Sequence, residues 1–471
     1  MTTPHHEPTG TATAPPPGCP AHAGGLNGLR RLFGPEAEQQ PYAFYETLRR
    51  EHGPVAPVLL YGDIPVWLVL GHRENLEVMR SPRFSSDSRH WRAVQEGRLA
   101  PDSPLVPMTA WQPLVAFMDG EEHARLRSAV TESLERVNRH SMRRYINRYA
   151  NQLIDGFAAR GQADLVADYA KKLPALVVAQ QFGIREEHAL ALGNAVADMI
   201  SGSENALQSN AFIVEIMTEL VERKKKQPGN DFASWLIRHD SGLDDVEAVQ
   251  HLRHALVASL ENCVNLIANT LRVVLTDRRF RGSLSGGQMT LPDALEQVLW
   301  DHPPLAVVPT RWAVGDTVLG GKEIRAGDMV MLGLAAGNVD PAMRPDLDAP
   351  VHGNRSHLSF GAGAHECPGQ DIGRAIADTG IDLLLSRLPD MMLTIDASEL
   401  QVVGNWMSRR LISLPVGFTP HRRADHTGET ALPSVGAALP PIAMPEPPAP
   451  RQEPRRPAGR RSGLLGWLRR R

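Results

Sequence analysis

The stretch FGAGAHECPG, residues 360–369, decides the fold of this chain, because it sets a single cysteine in surroundings that suit a metal-bound thiolate. Such a thiolate must be reachable by the metal and shielded from water, and its charge must be stabilised without a proton. Gly361 and Gly363 permit a tight turn in which backbone N–H groups can point at the Cys367 sulfur. Gly369 has no side chain and leaves space for a flat ligand.

A helix is predicted directly after this cysteine. Apolar residues recur at helical spacing between Gln370 and Leu388, so Cys367 precedes a helix N-terminus. The positive end of the helix dipole favours a thiolate there. A lone cysteine in a glycine-rich loop is more often a small buried hydrophobe, but the ten residue types taken together favour a ligand. The apolar positions are Ile372, Ile376, Thr379, Leu383 and Leu384.

The whole string resembles the haem-thiolate signature of the cytochrome P450 family, and the similarity extends over about residues 29 to 424. The resemblance implies a mainly α fold with a small β part, a helical prism around one buried haem b. Cys367 would bind the haem iron. Phe360 would cover the sulfur side, His365 would reach the edge of the haem, and Gly369 would leave room for it.

Composition is compatible with a cytoplasmic protein. The 471 residues are 42% hydrophobic and 22% charged with a net charge of −3, which predicts a soluble chain and no nucleic-acid partner. Cys19, Cys263 and Cys367 have no zinc spacing, and their odd number favours a reducing compartment. Residues 1–20 show neither a secretion signal nor an apolar run that could span a bilayer.

Local composition divides the chain into three zones. Residues 1–28 are rich in Pro, Thr, Gly and His and are predicted to be disordered, residues 29–424 form the haem domain, and 425–471 form a disordered tail. The tail has seven prolines in 431–450, then eight arginines against one glutamate in 451–471. The sequence LLGWL at 464–468 fits an anionic membrane surface or an acidic protein groove, and a solubilising end is the alternative.

One long helix is predicted from about Asp244 to Arg278. It carries an apolar stripe and, beside it, a polar stripe of Asn262, Asn265 and Asn269, whose amides need partners from the fold, a ligand or water. By resemblance this helix crosses the distal face of the haem. The apolar stripe consists of Leu252, Leu256, Leu260, Cys263, Ile267, Leu271 and Val274.

Four further residues match, by resemblance, positions that hold the haem propionates. His123 and Arg127 occur in DGEEHARLR, Arg311 in PTRWAV, and His357 three residues before Phe360. Propionates need fixed cations or hydrogen-bond donors in a largely apolar pocket. Each residue alone could be an ordinary surface cation, but their joint spacing favours the cradle. Arg125 of the same segment is expected to be a solvated neighbour.

The oxygen-activating segment departs from the family pattern. The family's long helix usually presents a small residue, glycine, any residue, an acid and threonine, where this chain has ASLEN at 258–262. Glu261 keeps the acid, but Asn262 cannot relay a proton as a hydroxyl does. The Ser259 hydroxyl could order water instead, or could bond back to its own helix.

A second departure concerns the charges beneath the haem. The family carries a Glu-x-x-Arg pair locked to an arginine before the cysteine loop, and here these positions hold Gln297 and Trp300, with Val351 or alternatively Arg355 as the third member. Removing one partner of a buried ion network strands the others, whereas replacing the whole set can be nearly neutral. We therefore predict that the fold survives and still binds haem, and the chain resembles an actinobacterial branch that lacks the pair.

The resemblance implies a monooxygenase that acts on an apolar small molecule, with electrons from a ferredoxin and its reductase, since the sequence shows no flavin or nicotinamide segment. Two alternatives remain open. Peroxide-driven oxygenation needs no proton relay and suits Asn262, and a haem-binding partner or sensor with little turnover suits the altered relay and the basic tail. Substrate contacts are expected at 91–117, 189–222, 305–310 and 406–411.

Overall fold

The computed structural model describes residues 28–421 except 101, 102, 104, 202, 203, 278–289 and 352. The predicted disordered segments, Cys19 and the basic tail lie outside the described residues, apart from Gly28. Within this part of the chain, no helix combines the length and apolar character that crossing a membrane requires.

Helices make up most of the described chain, which confirms the predicted fold class. The long helix runs over Asp245–Thr276, and its start is fixed by a capping box in which Asp244 and Glu247 satisfy each other's backbone N–H groups. The helix bounds are α1 (Pro35–Gln39), α2 (Pro41–His52), α3 (His72–Arg80), α4 (Arg92–Gln95), α5 (Val106–Thr109), α6 (Gly120–Glu135), α7 (Arg139–Phe157), α8 (Lys172–Phe182), α9 (Glu186–Ser201), α10 (Ala206–Lys226), α11 (Phe232–Ile237), α12 (Asp245–Thr276), α13 (Leu291–Asp301), α14 (Leu334–Asn338) and α15 (Gln370–Arg387).

The β part is small and centres on one hairpin, whose two strands begin at Val55 and Ile64. Its strands pair antiparallel from Val55 opposite Val69 to Leu60 opposite Ile64. This hairpin is the centre of a four-stranded sheet of order β1-β2-β3-β9. The strand bounds are β1 (Arg30–Arg31), β2 (Val55–Leu60), β3 (Ile64–Val69), β4 (Phe84–Ser85), β5 (Gln162–Asp164), β6 (Trp312–Ala313), β7 (Thr317–Leu319), β8 (Lys322–Ile324), β9 (Val330–Leu332), β10 (Met392–Leu393), β11 (Val402–Gly404), β12 (Arg409–Leu411) and β13 (Pro415–Gly417).

Helix α12 is the central element that positions the site. It packs against α8, α10, α13 and α15, so it contacts both the helix that follows the cysteine loop and the helix that carries Trp300. Every residue of its predicted apolar stripe is buried, which confirms the helical interpretation of that pattern. The stripe therefore belongs to the hydrophobic core and anchors α12 in it.

Candidate functional site

The cysteine loop is closed by its own backbone. The Cys367 N–H donates to the Phe360 carbonyl over 2.8 Å, and the Glu366 N–H donates to the Gly363 carbonyl over 3.0 Å. Gly361 and Gly363 have φ values of +70° and +73°, a region in which side chains other than glycine are strained. Helix α15 begins at Gln370. The predicted turn and the predicted helix start are both confirmed.

The protein alone does not ionise the cysteine. Burial raises the pKa of the Cys367 thiol, and this effect outweighs the Gly369 backbone N–H and the Arg127 charge, which act in the opposite direction. A metal that binds here must therefore displace the thiol proton, as metal binding to cysteine generally does. Gly369 leaves the space that the sequence predicts, because a Cβ placed there would meet nothing closer than the sulfur at 4.0 Å.

Two of the four predicted cradle residues, His123 and Arg311, line one cavity of about 500 Å³ together with His365, which was predicted to reach the edge of the haem. His123 comes from α6, Arg311 from the residue before β6, and His365 from the cysteine loop. The two imidazole rings lie 4.2 Å apart between centroids. The structure thus brings together side chains that are up to 242 positions apart in the chain. Their spacing in the sequence does not by itself show that they are neighbours.

The polar atoms of this cavity fit an anionic ligand group. Arg311 is only 5% exposed, and its guanidinium donates to the carbonyl of the preceding residue, Thr310, over 2.7 Å. Within the described residues, it has no carboxylate at ion-pair distance, and burial lowers its pKa to about 10. The His123 Nε2 atom is buried and lacks a hydrogen-bond partner among the described residues. A buried cation without a carboxylate partner and a buried ring nitrogen without a hydrogen-bond partner, both among the described residues, suit the propionates of haem.

Asp119 and Ser86 hold His365 in place. The His365 Nε2 atom lies 3.0 Å from the Ser86 hydroxyl and 3.8 Å from an Asp119 carboxylate oxygen. Burial lowers the pKa of both rings, that of His123 to about 4. Both rings are therefore neutral near pH 7, and the His123 Nε2 atom is placed to donate an N–H to an anion.

Arg127 lies beside the cysteine loop and not among the residues that line the cavity. Its guanidinium donates to the Glu366 carbonyl over 2.5 Å, one residue before Cys367. It therefore ties helix α6 to the loop. The neighbouring Arg125, expected to be a solvated cation, joins the first turn of α6 to the start of α12 by hydrogen bonds to Glu122, Glu247 and the Ser241 carbonyl.

The assignment of His357 to the propionate cradle is corrected by the geometry. Both of its ring nitrogens already have protein partners, since Nε2 lies 3.0 Å from a Glu296 oxygen and Nδ1 accepts the Ser359 N–H over 3.2 Å. Glu296 also receives two hydrogen bonds from Arg374, of 2.7 and 3.1 Å. The spacing of His357 from Phe360 could not show which way its ring faces.

Glu296 and Arg374 are site residues that the sequence reasoning missed. They lie 78 positions apart, on α13 and α15, and no local pattern connects them. Glu296 directly precedes Gln297, so a search for charge near the altered pair would have found it. Arg374 also lies over the ring of Phe360, 4.4 Å from its centroid, so Phe360 contacts a cation beside the cysteine loop.

On α12, Glu261 and Asn262, which occupy the acid and threonine positions of the family pattern, differ in their surroundings. Burial raises the pKa of Glu261, against the charges of Arg410 and Lys171. The Asn262 amide donates to the Ala258 carbonyl over 2.8 Å, which leaves its Oδ1 atom buried without a hydrogen-bond partner in the described chain. That free acceptor can bind a water molecule or a ligand hydroxyl.

Ser259 is not free to order water through its proton. Its hydroxyl donates to the Leu256 carbonyl over 3.0 Å, so the bond back to its own helix is the correct one of the two alternatives. Cys263 is buried, and burial raises the pKa of its thiol to about 12. Asn269 finds a partner in the fold, because its amide donates to the His302 carbonyl over 3.4 Å.

The positions of the missing ion pair are filled by neutral groups with complete hydrogen bonding. The Gln297 amide donates to Asp301 over 2.8 Å and accepts the Val351 N–H over 3.1 Å. The Trp300 indole is fully buried and donates to the Asn354 carbonyl over 2.8 Å. Of the two candidates for the third member, Val351 contributes its backbone here, and Arg355 points to Glu296 at 3.5 Å.

The four regions expected to contact substrate meet in pairs. Leu305 pairs with Ser408 in an antiparallel bridge, and the Ala306 N–H donates to the Met407 carbonyl over 2.8 Å, which joins the turn to the C-terminal segment. Arg253 of α12 joins the other two regions by hydrogen bonds to Gln112 and Asn210, of 2.9 and 2.8 Å. Two side chains at the borders of these regions are core: Trp91 and Trp406 are 2% and 3% exposed.

The fold is mainly helical, and it sets a cysteine loop at a helix N-terminus. Next to this loop lies a cavity with a buried arginine and two neutral imidazoles. These features together are those of the haem-thiolate class of protein.

Comparisons with known proteins agree with this class. The chain is 32% identical over 385 residues to 2-hydroxy-5-methyl-1-naphthoate 7-hydroxylase of Streptomyces carzinostaticus, covering 79% of this chain and 94% of that protein. It is 30% identical over 399 residues to vitamin D(3) 25-hydroxylase of Pseudonocardia autotrophica, covering 83% and 96%. The solved structure of CYP154C4 from Streptomyces sp. W2061 superposes with a TM-score of 0.74 at 27% identity, covering 79% and 94%. No family model matches the chain.

The chain belongs to the cytochrome P450 family. Its cofactor is haem b, and its class of activity is that of a haem monooxygenase. The roles of individual residues, among them Cys367 as iron ligand, remain predictions.

Proposed function

We propose that this P450 inserts one oxygen atom of O2 into an apolar small molecule, with electrons from a ferredoxin and its reductase. The observation that carries the proposal is the closed loop of Cys367 at the start of α15, beside a cavity whose buried Arg311 has no carboxylate partner within the described residues. Haem bound at Cys367 supplies oxygen activation at its iron. The chain's own residues bind the haem, exclude water and deliver protons.

The substrate is assigned from the side chains of the turn at 305–308. Leu305, Ala306 and Val308 are apolar and only partly buried, and they pack against the apolar core. Partly buried apolar groups are typical of small-molecule pockets and favour a hydrophobic ligand. The two relatives carry the names of hydroxylases of a naphthoate and of vitamin D(3), which supports a carbon-rich substrate of moderate size.

Proton delivery is assigned to Glu261 together with Asn262. Burial raises the pKa of the Glu261 carboxyl, so this group exchanges a proton closer to neutral pH than an exposed glutamate does. Asn262 offers its free Oδ1 atom as an acceptor for water. The amide positions that water, and Glu261 supplies the proton, so the side chain at position 262 itself does not have to ionise.

Electron delivery is assigned to separate proteins. Within residues 28–421, apart from the undescribed positions, the elements form one haem-binding fold, and none of them builds a flavin or nicotinamide domain. Electrons from NADPH then reach the haem through a reductase and a ferredoxin. We keep the cytoplasm as the proposed compartment, since ferredoxin and its reductase are found there, and the basic tail 451–471 stays a proposed contact with a membrane surface or a protein.

Peroxide-driven oxygenation is the second candidate, and Asn262 is the observation in its favour. Peroxide already carries both oxygen atoms in reduced form, so the reaction needs fewer protons delivered from the protein. A sensor with little turnover is the third candidate, and it rests on the same altered relay.

The test compares electron sources on one preparation. The purified protein is reduced under carbon monoxide, and a thiolate-type absorption band is expected, which Cys367→Ser must abolish. NADPH consumption and product are then measured with ferredoxin and reductase over a panel of apolar substrates, and product is measured again with hydrogen peroxide alone.

Product coupled to NADPH consumption supports the proposal. Product with peroxide only would replace it with the second candidate. A thiolate-type band without product from either source favours the sensor. If Cys367→Ser leaves the band unchanged, the ligand assignment itself is wrong.

A further inference from the structure

A compact charge cluster lies beneath the cysteine loop, apart from the propionate cavity. Glu296 is its centre, with a side chain only 3% exposed. Arg374 meets both of its carboxylate oxygens, at 2.7 and 3.1 Å, and His357 contacts one of them at 3.0 Å. Arg355 approaches from the solvent side at 3.5 Å with a side chain that is 63% exposed. A bidentate pair of this kind is geometrically specific as well as strong.

The Arg374 guanidinium connects this cluster to the start of the cysteine loop. It lies over the Phe360 ring, 4.4 Å from the centroid, and is 14% exposed. The Phe360 carbonyl in turn accepts the Cys367 N–H over 2.8 Å. A shift of the guanidinium would therefore move Phe360 and, through it, the backbone of the cysteine.

The same guanidinium reaches the end of the loop through Gln370. Its Nη1 atom donates to the Gln370 side-chain oxygen over 3.0 Å, and the Gln370 amide donates to the Glu366 carboxylate over 3.0 Å. Arg374 thus fixes both ends of the segment that carries Cys367, while Glu296 fixes Arg374. Gln297 and Trp300 hydrogen-bond to Asp301, Val351 and Asn354 instead, and they meet the cluster only where the Trp300 ring packs 5.9 Å from that of His357.

We infer that Arg374 is a positioning residue for the iron ligand, that Glu296 and His357 hold it in place, and that its positive charge raises the reduction potential of the haem iron. The inference rests on Cys367 as the iron ligand and is independent of the substrate and electron donor proposed above. Reduction adds one electron to the iron, and a nearby cation stabilises that added charge while a nearby carboxylate opposes it.

The test measures the midpoint potential of the haem-loaded protein for two isosteric charge changes. Arg374→Gln removes the cation, and we expect the ratio of reduced to oxidised iron at a given potential to fall about tenfold, which equals about 59 mV for a one-electron couple. Glu296→Gln removes the anion and leaves Arg374 in place, so the potential shifts the opposite way. A purely structural role would move both variants in the same direction.

Arg387 of the same helix provides the matched control. Its guanidinium also pairs with a carboxylate, that of Asp155 at 2.7 Å, whose side chain is 9% exposed, and it donates to Asn151 as well. Arg387→Gln should lower the urea midpoint of unfolding as Arg374→Gln does, yet leave the potential unchanged. Arg374→Lys keeps the charge without the planar fork, so it should restore the potential but lose the thiolate-type carbon monoxide band faster on standing.

Equal potentials in Arg374→Gln, Glu296→Gln and Arg387→Gln would overturn the inference, and so would shifts of the same sign in the first two. If Arg374→Gln does not retain haem, the other two variants decide. A raised potential in Glu296→Gln together with an unchanged potential in Arg374→Lys supports the inference, and any other pair of values refutes it. Failure of the ligand assignment shows separately, as an unaltered carbon monoxide band in Cys367→Ser.

Discussion

Replacing Trp300 by the arginine usual at this position in the family should destabilise this protein. The indole is fully buried, its Nε1 donates to the Asn354 carbonyl, and the guanidinium of Arg344 lies 5.2 Å from the ring centroid. Asp301, the acid next to it in sequence, already binds Arg344 at 2.7 Å and the Gln297 amide at 2.8 Å. A new guanidinium would meet a cation and an acid that is already paired.

The magnitude follows from an unpaired buried charge. Trp300→Arg should lower the free energy of unfolding by about 3–5 kcal/mol, the usual result when a buried charge lacks a partner. Trp300→Phe keeps most of the packing but leaves the Asn354 carbonyl without its donor, at a cost of about 1–3 kcal/mol. Gln297→Glu replaces an amide donor by a carboxylate against Asp301, so it should also destabilise.

The double variant separates compensation from simple damage. The introduced carboxylate and guanidinium, at positions 297 and 300, would be three residues apart on α13 and could pair with each other. Gln297→Glu combined with Trp300→Arg should therefore be more stable than the two single changes predict. We expect a favourable coupling of about 1–3 kcal/mol from the double-mutant cycle. The chain would then regain at this site an ion pair that it has replaced with neutral groups.

The assay is urea unfolding of the haem-loaded proteins, followed by far-ultraviolet circular dichroism and by loss of the haem absorption band. With a urea dependence of about 3–5 kcal/mol per molar for a chain of this size, Trp300→Arg should lower the midpoint by about 1 M. Trp300→Phe is the control for the loss of the indole N–H alone. An unchanged or higher midpoint for Trp300→Arg would refute the replacement argument.

Three further outcomes are expected. Gly363→Ala should weaken haem retention more than Gly361→Ala. Both positions have positive φ, but only a Cβ at position 363 would lie 2.8 Å from a backbone oxygen. Haem transfer to apomyoglobin measures the difference. Cys263 should resist iodoacetamide in the folded protein at pH 8, since burial raises its pKa to about 12, and mass spectrometry of the labelled peptides reads this out. Burial opposes ionisation of Glu296, but hydrogen bonds from an imidazole and a guanidinium outweigh burial and hold the pKa of this carboxyl below its ordinary value of 4.5. The stabilisation that Glu296 contributes should therefore fade as the pH falls below 4.5. The urea midpoints of the unchanged chain and of Glu296→Gln should converge over the same pH range.

Each of these outcomes has its own control. Equal haem loss from the two glycine variants would contradict the close approach to the Met79 carbonyl at position 363. The alkylation is carried out in a Cys19→Ser background, and label on Cys263 before unfolding would show that its thiol is accessible. A difference between the chain and Glu296→Gln that grows on acidification would mean that the carboxylate is not the stabilising form.

Local patterns predicted the elements that frame the site. The cysteine loop and α15 follow from glycine placement and short-range periodicity, and α15 has the predicted bounds within one residue. The long helix was also predicted within about two residues at each end. Its N-terminus carries a further local signal, the acidic residue and the glutamate three positions later that form the capping box.

Partners from distant parts of the chain could not be predicted in the same way. The resemblance supplied the position of His357, but the direction of its ring depends on Glu296, which lies 61 positions away. Arg125 was expected to be a solvated neighbour of the cradle residues, yet Glu247, 122 positions further on, accepts its hydrogen bond. A side chain's partner is set by how helices pack, and neither spacing nor composition contains that information.

The two supports beneath the cysteine loop explain together why the loss of one ion pair is tolerated. At positions 297 and 300, an amide and an indole satisfy the backbone groups of 351 and 354 without charge, so no buried ion is left unpaired. Glu296, adjacent to the first of them, keeps a buried carboxylate paired with Arg374, and the ring of His357 packs 5.9 Å from Trp300. The charged support of Glu296 and Arg374 reaches the loop through Phe360, and the support at positions 297 and 300 reaches it through the backbone that precedes the loop. The cysteine therefore stays fixed although the support at 297 and 300 has lost its charges.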